Sequence, residues 1–351
     1  MMSYVYSLLR LWWPPIAITI VLALIYLAAL VLDSAVFSRS VTEMLVRIVA
    51  VVALYIFIGN AGILSFGHVA FMSIGAYASA WQTCCPSMKP FVMSGLPEFL
   101  RKATYPVFPA LLASAVLTAA FAFVAGLVIM RLTGVAASIA TFAMLFIVYV
   151  VYSNWDSVTM GVSSIIGLPM YVTPEVAFVA AVSTVVVAYL FQISPFGLML
   201  RAAREDEVAA KACGVRIYWM RVLAFTISGF FMGIAGVLYG HYLGTIGVDT
   251  FFLELTFLLL AMLIVGGQYS LTGAVSGVLV LSAVVEILRV LQNGVSLGGL
   301  EFSIPNGTPQ IILAAIMLLI LIFRGDGLTK GREIRWPFRA SAGTEAGRSF
   351  R

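Results

Sequence analysis

The chain has 351 residues, of which 62% are hydrophobic and only 10% are charged, and its mean hydropathy is +1.08. Soluble globular proteins carry roughly a quarter charged residues, so this composition excludes an ordinary soluble enzyme or binding domain. The net charge of +5 does not indicate nucleic-acid binding, because in a membrane protein the distribution of Lys and Arg between loops is more informative than their total. The apolar runs are too long for lipid-facing barrel strands, so the composition predicts an all-α polytopic membrane protein.

The first apolar run lies near the N-terminus and has no small-residue cleavage site, so we interpret it as a retained first helix. Runs of similar length predict about ten transmembrane helices, near residues 11–32, 42–58, 61–82, 106–130, 132–152, 174–192, 222–243, 252–269, 272–291 and 306–323. The transmembrane body would therefore span residues 1–324. The basic, polar tail of residues 325–351 lacks an apolar period and is expected to be mostly disordered.

The basic residues predict the orientation of these spans. With ten spans both termini lie on one side, together with the charged segment 194–221. Fourteen basic residues then fall on this side, four (Arg39, Lys89, Arg101 and Lys102) fall on the other, and Arg47 and Arg289 lie within or at the ends of spans. By the positive-inside rule, the N-terminus, the C-terminus and segment 194–221 are cytoplasmic.

Segment 194–221 holds eight of the 35 charged residues and interrupts the apolar runs. Apolar side chains recur at helical spacing from Phe196, which predicts one short amphipathic helix up to Cys213, ended by Gly214. Two interpretations fit this helix. It is either an interfacial anchor on the membrane surface or a docking site for a cytoplasmic partner.

Small residues cluster between the second and third predicted spans. They allow close helix packing, and they also tolerate an interrupted helix of the kind that lines transport pathways, so both interpretations stay open. A single intramembrane histidine is more often a packing residue than a proton carrier. The candidate residues of this first motif are Asn60, Gly62, Ser65, Gly67 and His68.

A second cluster between the eighth and ninth predicted spans repeats the first, since Gly267-x-x-Ser270 matches Gly62-x-x-Ser65. This similarity between the two motifs suggests an internal repeat. The span count places both motifs on the cytoplasmic side, with the two copies running in the same direction. The candidate residues of this second motif are Gly266, Gly267, Ser270 and Gly273. The outer loop at 159–169 is interpreted as a turn whose glycines adopt positive φ.

The charged segment and the two motifs together resemble the branched-chain amino acid permease family (LivM type) of ABC importers, and Ala209-Ala210-x-x-x-Gly214 resembles the EAA loop of importer permeases. The motifs cover residues 59–277, and the pattern of apolar runs extends the resemblance to nearly the full length of the chain. Two positions depart from the family. Position 208 is Val where a literal EAA motif has Glu, and the outer loop has Met160, Val162, Ser163 and Ser164 where the family tends toward Gly-Gly-Ser-Asn-Gly.

The resemblance implies an ATP-driven importer in a bacterial inner membrane, with this chain as one permease. Its partners would be a second permease chain (a LivH-like paralogue or a second copy), two cytoplasmic ATPase subunits, a periplasmic solute-binding protein and the lipid bilayer. ATP and Mg²⁺ would bind to the ATPases, and the chain itself has no Gly-x4-Gly-Lys-Ser/Thr loop, cofactor or catalytic residue. The residues implied in ATPase coupling are Arg201, Arg204, Glu205, Asp206, Glu207, Ala209, Ala210 and Gly214.

Two other classes of function fit the sequence less well. An ion-coupled secondary transporter carries acidic groups within its spans, but Glu43, Glu254 and Glu286 lie toward span ends here, and Glu286 has Arg289 as a neighbour one turn away. A membrane-embedded enzyme would need a cluster of His, Asp or Cys within the spans. Cys84, Cys85 and Cys213 have no metal-ligand spacing, so we interpret all three as non-catalytic.

Overall fold

A computed structural model describes residues 2–84, 89–292, 295–297, 300–302, 311–312, 314–315, 319, 322–323 and 327–334. The described helices are α1 (Met2–Val31), α2 (Ala35–Ala61), α3 (His68–Thr83), α4 (Lys89–Val92), α5 (Glu98–Lys102), α6 (Val107–Ile129), α7 (Gly134–Ser153), α8 (Asp156–Thr159), α9 (Pro174–Ile193), α10 (Pro195–Glu205), α11 (Glu207–Ala212), α12 (Ile217–Leu243), α13 (Leu253–Gly266) and α14 (Leu271–Gln292). The predicted all-α membrane fold is confirmed.

Short strands join some of the loops. Strand β1 (Ile165–Ile166) pairs antiparallel with β2 (Thr245–Ile246), and β3 (Val295–Leu297) pairs antiparallel with β4 (Leu300–Phe302). The first pair ties the outer loop 159–169 to the end of α12. In that loop Gly161 and Gly167 have φ of 57° and 91°, as the sequence predicted.

Eight described helical segments are long and apolar enough to cross a membrane, and they coincide with eight of the ten predicted spans. The predicted span 61–82 is shorter than expected. Residues 63–67 are not helical, and α3 begins only at His68 and is 16 residues long. The predicted span 306–323 falls largely outside the described residues.

Helix α2 forms the centre of the bundle. Its apolar window is completely buried, because α9, α12 and α14 pack around it. The helix begins at Ser34, whose hydroxyl accepts a hydrogen bond from the amide of Phe37, and it ends at Gly62. Gly62 has φ of 71°, a conformation that glycine adopts without steric cost, so the chain can leave the helix sharply here.

Helix α12 packs against α2, α3 and α6 through small residues. A Cβ atom at Gly236 would overlap the carbonyl oxygen of Met72, and one at Gly75 would overlap the backbone of Gly233. These contacts bring the helix backbones together, as is common where lipid supplies no hydrophobic drive between helices. Because α12 follows segment 194–216 directly, any movement of that segment acts on the centre of the bundle.

Candidate functional site

Segment 194–216 folds into two helices rather than the single amphipathic helix that the sequence predicted. Helix α10 starts at Pro195, with the hydroxyl of Ser194 accepting from the amide of Gly197 at 3.2 Å. It ends at Glu205. The carboxylate of Asp206 then accepts from the amides of Val208 and Ala209, both at 2.9 Å, and so starts α11. The single-helix prediction was therefore wrong at Asp206, because this side chain caps a new helix.

We call residues 194–216 the coupling loop. Its helices have a small core of their own, in which Ala203, Ala210 and Ile217 are buried against Val215. Gly214 follows the end of α11 with φ of 81°, which confirms the predicted turn into α12. Ala209 and Val208 lie exposed on the surface of α11. The loop is thus a compact unit on the start of α12.

The acidic side chains of the coupling loop have partners in the same chain. The Glu207 carboxylate pairs with Lys211 at 2.9 Å and with the largely buried Arg221 of α12 at 3.0 Å. The hydrogen bonds from Lys211, and then from Arg221, hold the pKa of the Glu207 carboxyl below its ordinary value. Glu205 is mostly exposed and pairs with Arg204 at 2.6 Å. Asp206 and Glu207 therefore hold the loop together.

Arg204 connects the coupling loop to both small-residue motifs. Its Nη1 donates to the carbonyl oxygen of Gly59 at 2.7 Å, at the end of α2. The guanidinium carbon lies 4.6 Å from the ring centroid of Tyr269, in the turn between α13 and α14. A Cβ atom at Gly62 would meet Arg204 Cγ at 2.5 Å, so glycine leaves the space that this side chain fills. Arg201 makes a second attachment, from Nη2 to the Gln192 carbonyl oxygen at 2.8 Å.

The first motif is almost entirely buried. Asn60 donates from Nδ2 to the Ile56 carbonyl oxygen at 3.0 Å, and a Cβ atom at Gly67 would overlap the carbonyl oxygen of Thr141 in α7. Ser65 lies 2.7 Å from Nδ1 of His68. The His68 ring lies among Phe57, Phe71 and Phe225, with centroid distances of 5.5, 5.5 and 5.2 Å. This arrangement is typical of helix packing, and a role of these residues in a translocation path stays a prediction.

The second motif forms the turn between α13 and α14. A Cβ atom at Gly266 would overlap the carbonyl oxygen of Gly273, and one at Gly273 would overlap the carbonyl oxygen of Gly267, so neither position has room for a side chain. Ser270 Oγ accepts from the Gly273 amide at 3.0 Å. The two motifs meet, because a Cβ atom at Gly59 would lie 2.8 Å from the carbonyl oxygen of Gln268. They lie at the same end of the bundle, as the span count predicted.

Tail residues 327–334 pack on this turn, a contact that sequence reasoning missed. The amides of Leu328 and Thr329 donate to the carbonyl oxygens of Val265 and Gly266, at 2.9 and 3.1 Å. Thr329 Oγ1 lies 2.9 Å from Ser270 Oγ. These backbone contacts leave no periodic pattern in the sequence. Disorder therefore stays a prediction only for the parts of the tail that the structure does not describe.

Glu333 in the same tail segment caps α14. Its carboxylate accepts from the amides of Leu271 and Thr272 at 2.7 and 3.0 Å and from Thr272 Oγ1 at 2.6 Å. It also accepts from Gln192 Nε2 of α9 at 3.1 Å. A carboxylate at a helix N-terminus is favoured by the helix dipole and by the unpaired amides there. The tail thus joins α9 and α14 beside the coupling loop.

Comparison with known proteins agrees with this architecture. Residues 36–321 match the model of the family described as branched-chain amino acid transport system / permease component. The high-affinity branched-chain amino acid transport system permease protein LivM of Escherichia coli (strain K12) is 25% identical over 316 residues, covering 82% of this chain and 68% of that protein. The probable branched-chain amino acid transport permease protein LivM of Methanocaldococcus jannaschii is 32% identical over 146 residues, covering 41% of this chain and 42% of that protein.

A shorter match names another solute. The guanosine ABC transporter permease protein NupQ of Bacillus subtilis (strain 168) is 41% identical over 56 residues, covering 16% of this chain and 17% of that protein. No solved structure matches the chain. The family match covers well over half of the residues and includes both motifs and the described spans from α2 to α14, whereas the first span, Trp12–Val31, precedes it. The chain therefore belongs to the branched-chain amino acid permease family and is a multi-pass membrane permease of the ABC transporter type.

Proposed function

We propose that this chain is a permease subunit of an ATP-driven importer in a bacterial inner membrane, with both termini in the cytoplasm. With a second permease chain, either a related paralogue or another copy, it forms the path for a branched-chain amino acid or a related small neutral or zwitterionic solute. Two cytoplasmic ATPase subunits bind ATP and Mg²⁺ and drive the transport. A periplasmic binding protein delivers the solute.

The contact of Arg204 with Gly59 and Tyr269 carries this proposal. It attaches the coupling loop to the ends of α2 and α13, while α12 continues from the loop itself. A rigid movement of the loop therefore acts on three of the helices at the centre of the bundle without any chemistry on this chain. Closure of the ATPases on ATP binding would supply that movement.

The exposed surface of the loop favours an apolar contact with the ATPase. Val208 is 78% exposed at the start of α11, and Phe196 and Leu198 are exposed on α10. Asp206 caps α11 and Glu207 pairs with Arg221 of α12, so their carboxylates are already engaged within the chain and are less suited to docking than their charge indicated. An ATPase groove that receives Val208 and Ala209 would bury these apolar side chains on assembly.

A pair of equally exposed valines tests this docking surface. Val208→Arg is expected to abolish co-purification of the ATPase, because a charged side chain enters an apolar groove. Val162 in the outer loop is also 78% exposed, and Val162→Arg should leave co-purification intact. The exposed thiol of Cys213 gives an independent readout, because the bound ATPase should protect it from a maleimide. Equal co-purification of both variants, with Cys213 unprotected, would contradict the docking surface.

The solute is proposed from the family and from the scarcity of charge. Only 10% of the residues are charged, which suits an apolar or zwitterionic solute better than a strongly charged one. The relatives are named for branched-chain amino acids and, over a short segment, for guanosine. The melting temperature of the associated binding protein tests the proposal directly. Leucine, isoleucine or valine should raise it, whereas a shift with guanosine alone would overturn the amino-acid assignment.

The ion-coupled alternative has little support in the described residues. Glu43, the acid of α2, is buried and pairs with Arg47, and it also accepts from Arg289 of α14 at 3.3 Å. Arg289 pairs with Glu286 at 3.2 Å, as the sequence predicted. A carboxylate neutralised by two guanidinium groups is poorly suited to bind Na⁺ or carry a proton. Within the described ranges, no group of three or more His, Cys, Asp or Glu side chains is arranged to hold a metal.

A further inference from the structure

A cavity of about 670 Å³ opens beside the coupling loop, between the turn from α6 to α7 and the start of α12. Among the described residues, four cationic side chains line it, and Glu207 is the one acidic lining residue. The cations are Arg131, Lys211, Arg216 and Arg221. Because Glu207 can neutralise only one of them, the cavity keeps a surplus of positive charge. Such a surplus favours an anionic ligand.

Arg221 lines the cavity from the start of α12. The side chain of Arg221 is only 9% exposed, and its Nη2 binds Glu207 at 3.0 Å. Its Nε is buried and has no hydrogen-bond partner among the described residues. No side chain caps the start of α12, whose dipole also favours an anion there. An anion in the cavity would stabilise this largely buried, positively charged guanidinium through its charge.

The surroundings of the cavity are those of a membrane interface. Trp219 lines it and is 49% exposed, and Tyr218 is fixed by a hydrogen bond from its hydroxyl to the Leu127 carbonyl oxygen at 2.8 Å. Tyr and Trp are enriched at the level of the lipid headgroups. Val128, Leu132 and Val135 are exposed immediately before and after the α6–α7 turn. They provide an apolar surface on which acyl chains can lie.

We propose that this cavity binds the phosphate headgroup of an anionic phospholipid, with the acyl chains along the exposed ends of α6 and α7. The ligand chemistry is a phosphate, and the adjoining apolar surface favours a lipid over a free phosphate ion. A bound lipid would bridge Arg131 in the α6–α7 turn to Arg216 and Arg221 at the start of α12. The lipid would thus stabilise the base on which the coupling loop sits.

The test titrates the purified transporter with short-chain phosphatidylglycerol and follows its melting temperature, with phosphatidylcholine and inorganic phosphate as separate arms. Phosphatidylglycerol is expected to raise the melting temperature, and the other two additions are not. Arg131→Gln/Arg216→Gln removes two exposed cations and should raise the half-saturating concentration about 30-fold. Arg332→Gln, which removes an exposed cation in the tail outside the cavity, is the matched control and should change nothing.

A variant that keeps both charges separates binding from folding. Arg131→Lys/Arg216→Lys should stay close to the wild-type half-saturating concentration. The proposal is overturned if the Gln double variant keeps the wild-type preference for phosphatidylglycerol, or if inorganic phosphate alone reproduces the shift. It is also overturned if the permease without its ATPases responds to the lipid but the assembled transporter does not, because an ATPase subunit then occupies the cavity.

Discussion

Arg204 Nη1 donates a hydrogen bond to the carbonyl oxygen of Gly59 at 2.7 Å, across 145 positions of sequence. The bond joins the coupling loop to the end of the central helix α2. It is partly buried and charge-assisted, so it is stronger than a surface ion pair. This contact is the mechanical link on which the proposed function depends.

Removal of this link should uncouple ATP hydrolysis from transport. Arg204→Ala is expected to retain assembly and ATPase activity while reducing solute uptake at least about tenfold, because a charged hydrogen bond contributes roughly 1.5–3 kcal/mol. Arg332→Ala is the control, since it removes an exposed cation that lies in the tail, outside the coupling loop. Uptake and ATPase activity are measured together in proteoliposomes. If Arg204→Ala takes up solute at the wild-type rate, with ATP hydrolysis still coupled to uptake, the contact does not transmit movement.

Glycine at position 62 should be needed for two separate reasons. Gly62 and Gly134 both have positive φ, but a Cβ atom at Gly134 would meet nothing within 4 Å, whereas one at Gly62 would displace Arg204. Gly134→Ala is therefore expected to cost about 1–2 kcal/mol from the backbone alone. Gly62→Ala should cost about 1–2 kcal/mol more, because the Arg204 hydrogen bond is also lost. The measurement is the free energy of unfolding in detergent.

The Arg204→Ala background separates these two contributions. In that background the excess cost of Gly62→Ala over Gly134→Ala should largely disappear. An excess that persists without the Arg204 side chain would mean that the two residues are not coupled.

The tail should stabilise the bundle through Glu333. Glu333→Gln keeps the size of the side chain but removes the charge that caps α14, and we expect a loss of about 1–2 kcal/mol in unfolding free energy. Arg332→Gln changes the neighbouring, exposed residue and should have no effect beyond about 0.5 kcal/mol. Equal stability of Glu333→Gln and wild type would indicate that solvent replaces the cap.

Protonation of Glu207 should weaken the coupling loop at acid pH. Because its pKa is lower in the folded chain than in the unfolded chain, its ion pairs stabilise the fold above the unfolded value of about 4.3. This contribution is lost as the pH falls through the lower, folded value. The difference in melting temperature between wild type and Glu207→Gln should therefore be constant near neutral pH and shrink below about pH 4. If the difference in melting temperature stays constant down to pH 3, the Glu207 carboxylate is not its source.

The sequence predicted the membrane-spanning frame because each span is encoded locally, as an apolar run bounded by polar or turn residues. The turn at Gly214 followed from the same local rules, whereas the cap of α10 at Ser194 is an additional finding of the structure. The interruption of the helix at Asp206 did not follow from these rules. The apolar period continues across it, and only the capping geometry shows that Asp206 starts a second helix.

The contacts of the site were beyond prediction from one sequence because they join distant segments. The Gly59–Gln268 approach, the Arg204–Tyr269 contact and the Glu333 cap each depend on helix packing rather than on local pattern. The composition of segment 194–221 indicated acidic docking residues. In the structure Asp206 caps α11 and Glu207 forms ion pairs, contacts that the composition did not predict, and a docking role of these residues stays a prediction.

The energy source of uptake tests the account most directly. The permease is reconstituted with its partner chains in proteoliposomes, and solute uptake is measured with ATP or with an ion gradient as the sole energy source. Uptake is expected to require ATP, to persist when all ion gradients are dissipated, and to fail in the Arg204→Ala variant. Uptake that survives loss of the ATPases and collapses with the ion gradient would contradict this expectation.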